Sequence, residues 1–209
     1  MNSALTYASD VAFTPAVKAI QARKGSREAY GRVEQRGWRT EVDENLEAFL
    51  ADANSFYFAT ASADGQPYIQ HRGGPKGFLK VLDKQTLAFA DYAGNQQYLT
   101  QGNLSENAKA YIFVMDYAHR RRVKIWGEAR VVEDDDALMD ALMPKGYRAR
   151  PEQVILFKIA AWDTNCPQHI PQKFDAPDVA AALAARDQRI AELEAQVATL
   201  NGQAAPEQG

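Results

Sequence analysis

Apolar residues recur along this chain at two spacings, and the spacing changes twice. Between residues 56 and 163 short apolar runs are separated by turn residues, the pattern of β-strands; on either side the recurrence is helical. Near the start, residues 15–23 read as a short helix, followed by a poorly defined, glycine-punctuated arm, KGSREAYGRVEQRGWRT. DENLEAFLADA reads as a better helix, with Asp43 as its cap and Leu46, Phe49 and Leu50 on one face. FYFATA and PYIQH are then strands joined by the hairpin signal SADGQ. FLKVLD pairs with TLAFAD, AYIFVMD pairs with RVKIWGEARVVE, and VILFKIAAWD is a late strand. NQQYLTQGNLSENA reads as a short helix and loop, and DDDALMDALM as an acidic helix. Six or seven mostly antiparallel strands with short helices predict a mainly β protein built on a small barrel. The expected division is a helical arm over 1–42, a barrel over 43–174 and a helix with a disordered end over 175–209.

The last segment has a period of its own. Leu183, Ile190 and Val197 are spaced by seven, and Leu193 and Leu200 occupy the alternate heptad position. Arg186 is the polar exception in this a/d seam. Such a helix either packs on its own barrel or pairs with another copy of itself; the narrow seam and polar flanks favour pairing.

Composition narrows the class. The net charge of −3 over 209 residues argues against a nucleic-acid coat or a membrane-surface binder. The single cysteine, Cys166, excludes an internal disulfide and a cysteine-rich zinc site. No basic start followed by an apolar core is present and no run is long enough to span a membrane, so a cytoplasmic protein is expected. His71, His119 and His169 stand at no metal-ligand spacing, and GxSxG, GxGxxG and GxxxxGK[ST] motifs are absent.

Three segments carry candidate chemistry. QHRGGPKGFLKVL joins two strands with adjacent glycines and the cations Arg72, Lys76 and Lys80, more than a turn requires. A backbone lying against an anionic ligand would use all of them. Along RRRVKIWGEARVV, Val123, Ile125, Gly127, Ala129 and Val131 share the inner face. Arg122, Lys124, Trp126, Glu128 and Arg130 share the outer one, which is either a solvated charged face or a seat for phosphate beside a flat ring. In ADYAGNQQYL, Asp91 and Tyr92 end a strand and Asn95, Gln96 and Gln97 are read as opening a helix. That start is either an ordinary capped turn or an anion site lined by amides.

Together, SFYFATASADGQPYIQHRGGPKGFLKVLD, TLAFADYAGNQQYLTQGNLSEN, RRRVKIWGEARVV and WDTNCPQHIP resemble the pyridoxamine 5′-phosphate oxidase-like FMN-binding split barrels. Within that family the chain is most similar to the bacterial flavin-nucleotide-binding proteins, over residues 25–174. The resemblance implies a six-stranded split barrel, a homodimer and FMN in the groove between subunits. It implies FMN contacts from Gln70, His71, Arg72, Gly73, Gly74, Lys76 and Phe78, and places Asp91 and Tyr92 beside the ring system. Asn95, Gln96 and Gln97 fall where the oxidases carry a Ser-Arg-Lys phosphate grip, so the phosphate charge would be met by Arg72, Arg122 and Lys124. Arg122 falls at a flavin-contacting glutamine of the oxidases, and Trp126 shares its face. The arginine-containing motif that grips the vitamin substrate is replaced by WDTNCPQHIPQKF, so FMN binding is expected rather than pyridoxamine phosphate oxidation.

The expected function is a flavin-dependent oxidoreductase for a small molecule, with Tyr92, Cys166 and His169 as residues that could line the ring. The alternatives are a non-catalytic flavin store or redox sensor, a deazaflavin or haem carrier with His71 or His169 as axial ligand, and an assembly protein recruiting a partner through its tail.

Overall fold

The structure, a computed structural model, describes residues 6–164 and 167–203. Its centre is one antiparallel sheet of seven strands: β1 (Ser55–Ala61), β2 (Pro67–Gly73), β3 (Lys80–Val81), β4 (Thr86–Tyr92), β5 (Lys109–Asp116), β6 (Arg121–Val132) and β7 (Pro151–Thr164). The order is β2-β1-β5-β6-β7-β4-β3. Six strands are implied by the resemblance; β3, two residues long, is the seventh. The sheet curls until distant strands meet. Phe56 and Phe58 of β1 lie 5.1 and 5.7 Å from Phe89 of β4, although three strands separate them in the sheet. No backbone ladder joins β2 to β4 among the described pairs, so the barrel is split on that side.

Alternation explains the core. Val123, Ile125 and Ala129 of β6 are buried while Glu128 and Arg130 are exposed, as the period of two requires. Gly127 sits on the inner face where β6 and β7 slip register by one residue. A Cβ there would overlap the carbonyl oxygen of Lys158 and press on the Phe157 ring, so the interior admits no side chain at this position.

The helices are α1 (Pro15–Lys24), α2 (Arg27–Arg36), α3 (Glu44–Asp52), α4 (Leu99–Glu106), α5 (Asp136–Leu142) and α6 (Ala176–Gln203), after a 3₁₀ turn over Ala8–Val11. Asp43 does cap α3, accepting from the Leu46 amide at 2.9 Å, and Leu46 and Leu50 enter the core. The region expected to be a poorly defined arm contains α2. Its buried residue is Glu34, which bonds to Arg27 of its own helix and pairs with Lys18 of α1 at 3.0 Å. An ion-pair network, not an apolar stripe, fixes this helix, so the hydrophobic pattern gave no sign of it. α5 packs Leu142 against Ala88, Ala90 and Val154, and its first turn is capped by Asp135.

α6 is different. It begins beside the barrel, where Asp175 accepts a bond from Asn54 at 2.8 Å. Beyond that its seam residues meet nothing: Val179, Leu183, Ile190, Leu193, Val197 and Leu200 are between 42% and 64% exposed. Packing on its own barrel is therefore not the arrangement adopted. Among the described residues no helix is long and apolar enough to cross a membrane, and no cluster of His, Cys, Asp and Glu could hold a metal ion.

Candidate functional site

The split in the barrel is where side chains with chemistry converge. In β2, Tyr68, Gln70 and Arg72 lie opposite Thr60, Phe58 and Phe56, so they point inward. Ile69 and His71 lie opposite Ala59 and Tyr57 and point outward. Across the gap Arg72 forms an ion pair with Asp91 at the end of β4 and donates to the Thr100 hydroxyl of α4 at 3.3 Å. Thr100 in turn donates to Gln70 at 3.2 Å, and Gln153 of β7 donates to Asp91 at 2.9 Å. Side chains thus close the split where backbone bonds do not.

The groove is electrostatically strained. Burial pushes the Asp91 carboxyl above its ordinary value, opposed by the Arg72 charge and the Gln153 bond. Burial also lowers the Arg72 guanidinium, with Asp91 as the main opposing influence. The Nε of Arg72 remains buried in the groove without a partner; the hydroxyl of Tyr92 is likewise unpartnered, but its ring packs against Tyr147 and the Ala88, Ala90 and Leu142 cluster on the α5 side. A buried donor left unmade costs about 1–3 kcal/mol, so such atoms mark a place where a ligand or water completes the bonding.

The pocket at this point is lined by Gln70, Arg72, Asp91, Tyr92 and the residues 94–98. Asn95, Gln96 and Gln97 do not open a helix, as the sequence reading has it. They form a loop, and α4 starts at Leu99. The cause is local: Gln96 and Tyr98 have φ of 58° and 52°, and the Asn95 side chain accepts from the Gln97 amide at 3.3 Å. Tyr98 is tied back to Glu152 at 3.0 Å. The amides therefore face the pocket from a loop rather than from a helix terminus.

The Gly-Gly loop has a different explanation from the one its sequence suggests. A Cβ on Gly74 would lie 2.7 Å from the Phe78 ring, and Gly77 has φ +70 with the Ala51 carbonyl 3.0 Å from a Cβ position. These glycines accommodate the protein's own packing. Phe78 is 2% exposed and stacks on Phe56 at 5.3 Å, so it belongs to the core and offers a ligand no surface. Lys76 turns away to Asp52 at 2.8 Å. Gly73 is open by comparison, with the flexible His71 ring as its nearest neighbour.

Arg122, Lys124 and Trp126 lie on the outer face, as alternation predicts, but two of them are already engaged. Trp38, from the segment after α2, stacks on Trp126 at 4.9 Å, and Tyr111 tilts against it at 5.1 Å. Lys124 pairs with Asp163 at 3.2 Å and stands 5.5 and 5.1 Å from the Trp38 and Trp126 rings. The flavin-stacking surface expected at Trp126 is thus covered within the chain. Arg122 is the exception: its Nε is buried and unpartnered, beside a second pocket that also contains Arg39, Arg121, Phe49 and Trp162. Within one chain the inward residues of β2 and β4 and the outward residues of β6 do not meet.

His71 packs against Tyr57 on the outer face at 5.7 Å, and His169 is exposed with φ of 62°. Neither lines the groove. Cys166 lies outside the described residues. Sequence reading missed Thr100 and Gln153, which hold Arg72 and Asp91 in place. Nothing in their local sequence distinguishes them; only the closing of the split gives them a role.

The family model for pyridoxamine 5′-phosphate oxidase matches residues 42–166. No curated protein matches. Among solved structures the chain is similar to HupZ of Group A Streptococcus, at 17% identity and TM-score 0.49, over 64% of this chain and 99% of that one. It is similar to a putative pyridoxamine 5′-phosphate oxidase from Lactobacillus delbrueckii, at 22% identity and TM-score 0.47, over 60% and 95% of the two chains. An FMN-binding protein from Syntrophomonas wolfei is similar at 13% identity and TM-score 0.46, over 69% and 97%.

Proposed function

The chain belongs to the pyridoxamine 5′-phosphate oxidase family, and from that premise we propose that it binds FMN at the split of the barrel and acts as a flavin-dependent oxidoreductase on a small molecule. The observation that carries the reading is the groove itself. Residues from β2, β4 and the loop before α4 converge there, and Arg72 Nε is buried without a partner. Those groups fit a flavin nucleotide: Arg72 and the amides of residues 95–97 would hold the phosphate, and Tyr92 and Gln70 would meet polar atoms further along. Bound flavin supplies hydride or electron transfer, while the protein supplies position and charge.

The pocket volume supports a second part of the proposal. At about 50 Å³ it is far below the roughly 300–1,000 Å³ of a complete small-molecule site. It suits the phosphate end, so the ring system needs a wall from elsewhere. We assign that wall to a second copy. The outer face of β2, β1 and β5 carries Ile69, Tyr57, Tyr111 and Phe113, with Ile69 60% exposed. Arg122, unpartnered on the outer side, reaches the same ligand only from a second copy.

A non-catalytic flavin-binding module is the second reading. Two observations favour it: the Arg72 charge is already matched by Asp91, and the loop at 95–97 contains amides rather than cations. The test is an absorption spectrum of the purified protein, with identification of what denaturation releases. Two flavin bands and free FMN are expected, with loss of both in Arg72→Ala. Turnover by NAD(P)H separates the oxidoreductase from the module. A colourless protein that FMN cannot reconstitute would refute the proposal.

A further inference from the structure

We propose that α6 pairs with α6 of a second copy as a parallel, in-register, two-stranded coiled coil. The exposed seam sets the question, and the residue types along it answer which partner it fits. Assigning Leu183, Ile190 and Val197 to position a puts Val179, Arg186, Leu193 and Leu200 at d. In the second half of the seam the a residues are β-branched and the d residues are leucine, the combination that selects parallel dimers. The helix has 28 residues, about 42 Å, enough to carry the three heptads clear of the barrel.

Charge supplies an independent argument for orientation. In this assignment Arg189 is at g, and Asp187 and Glu194 are at e. A parallel dimer sets each g residue against the e residue five positions later on the other helix, which brings Arg189 to Glu194 on both sides of the seam. An antiparallel dimer sets e against e, which brings Asp187 to Glu194 and costs a like-charge contact twice. In the parallel register the two Arg186 side chains face each other across the seam, each bordered by Asp187 of the other helix, whereas the antiparallel register sets each against the apolar Val197. Arg189 bonds Glu192 of its own helix at 2.9 Å with both side chains exposed, a contact cheaply exchanged. One polar pair set in an apolar seam fixes register, so a slipped alignment is disfavoured as well.

The test uses the full chain with Cys166→Ser. Leu200→Cys, at d, should oxidise to a disulfide-linked dimer, because parallel pairing brings the two positions within bonding distance. Ala195→Cys, on the outer side of the helix, should not. An antiparallel pair would set position 200 against position 183 and give no cross-link, as would a helix folded onto its barrel. In the Leu200→Cys background, Arg189→Glu should slow cross-linking by about fivefold, and adding Glu194→Arg should restore it. Absence of the Leu200→Cys cross-link, or failure of the charge swap to restore it, would overturn the proposal. Positions 189, 194, 195 and 200 are exposed in the single chain, so substitutions there do not threaten the barrel. Flavin content of the same samples should not change, which separates this result from the fate of the groove.

Discussion

Two cations that look alike in the sequence have opposite settings in the fold. Arg72 and Lys124 each sit on a strand beside aromatic residues and each faces a carboxylate. Lys124 is on the outer face, flanked by Trp38 and Trp126, with Asp163 at its ammonium group. Its surroundings are complete. Arg72 is inside the split, paired with Asp91 and held by Thr100, yet its Nε has no partner. The difference teaches that charge next to an aromatic ring is not by itself a binding site. A site is where the protein leaves bonding capacity open in a buried place, and on that criterion the split and the Arg122 end of β6 qualify while the Lys124–Trp126 surface does not.

The largest expected effect separates the two carboxylates. Asp91→Ala leaves Arg72 buried without a counter-charge and should cost about 3–5 kcal/mol. Asp163→Ala, at a pair whose side chains are 20% and 33% exposed against 12% and 9% for Arg72 and Asp91, should cost less than about 1 kcal/mol. Urea midpoints at constant slope measure both. Equal costs would erase the distinction between the two regions.

Trp38→Ala tests whether the outer face is finished. It removes a half-buried ring stacked on Trp126 and edged by Phe13 at 5.0 Å, and should destabilise by about 2 kcal/mol. Flavin content should be unaffected, since Trp38 belongs neither to the groove nor to the residues assigned to the second copy's wall. Loss of flavin in a folded Trp38→Ala protein would return Trp126 to the list of ligand contacts.

These contrasts also show what was legible beforehand. The strands were, because alternation of the kind seen in β6 is written in adjacent residues. The helix α3 was, because Asp43 and Leu46 announce its cap and its buried face. The helix α2 was not, because Glu34 at its centre is buried by pairing with Lys18, sixteen positions away and on another helix. The identity of the groove residues was half visible. Gln70, Arg72, Asp91 and Tyr92 stand out in the segments that carry the family resemblance, but the pairing of Arg72 with Asp91 appears only when the sheet curls. Trp38 over Trp126 is the same kind of contact, made between distant parts of the chain and signalled by neither.

The Gly-Gly loop gives a smaller, sharper test. Gly74→Ala should cost about 1–3 kcal/mol, because the new methyl group meets the Phe78 ring and that ring is locked in the core. Gly73→Ala meets only the exposed His71 ring, which can move aside, and should be nearly neutral in stability. If the loop were shaped chiefly by a bound nucleotide, the order would invert in flavin affinity: Gly73→Ala would weaken binding without unfolding the protein. Thermal melts paired with flavin titrations read both quantities on the same two variants.

The smallest effect lies in the pH dependence of two buried carboxylates with opposite shifts. Burial opposes ionisation of Glu34, but bonds from Arg27 and Lys18 outweigh it and hold its pKa below the ordinary 4.5. Its contribution to stability is therefore present above that value and fades as the pH falls through the depressed one. Asp91 is raised above 3.8 by burial, more than Arg72 and Gln153 offset. Its contribution has the other sign: present below 3.8 and lost as the pH rises through the raised value. Unfolding midpoints of wild type, Glu34→Gln and Asp91→Asn across the acidic range resolve the two. The gap between wild type and Glu34→Gln should widen with rising pH, while Asp91→Asn should gain on wild type over the same interval. Parallel curves for the two variants would mean that the split holds Asp91 as comfortably as the helices hold Glu34. The bonding left open around Arg72 would then have no electrostatic consequence, and the contrast between groove and outer face would rest on geometry alone.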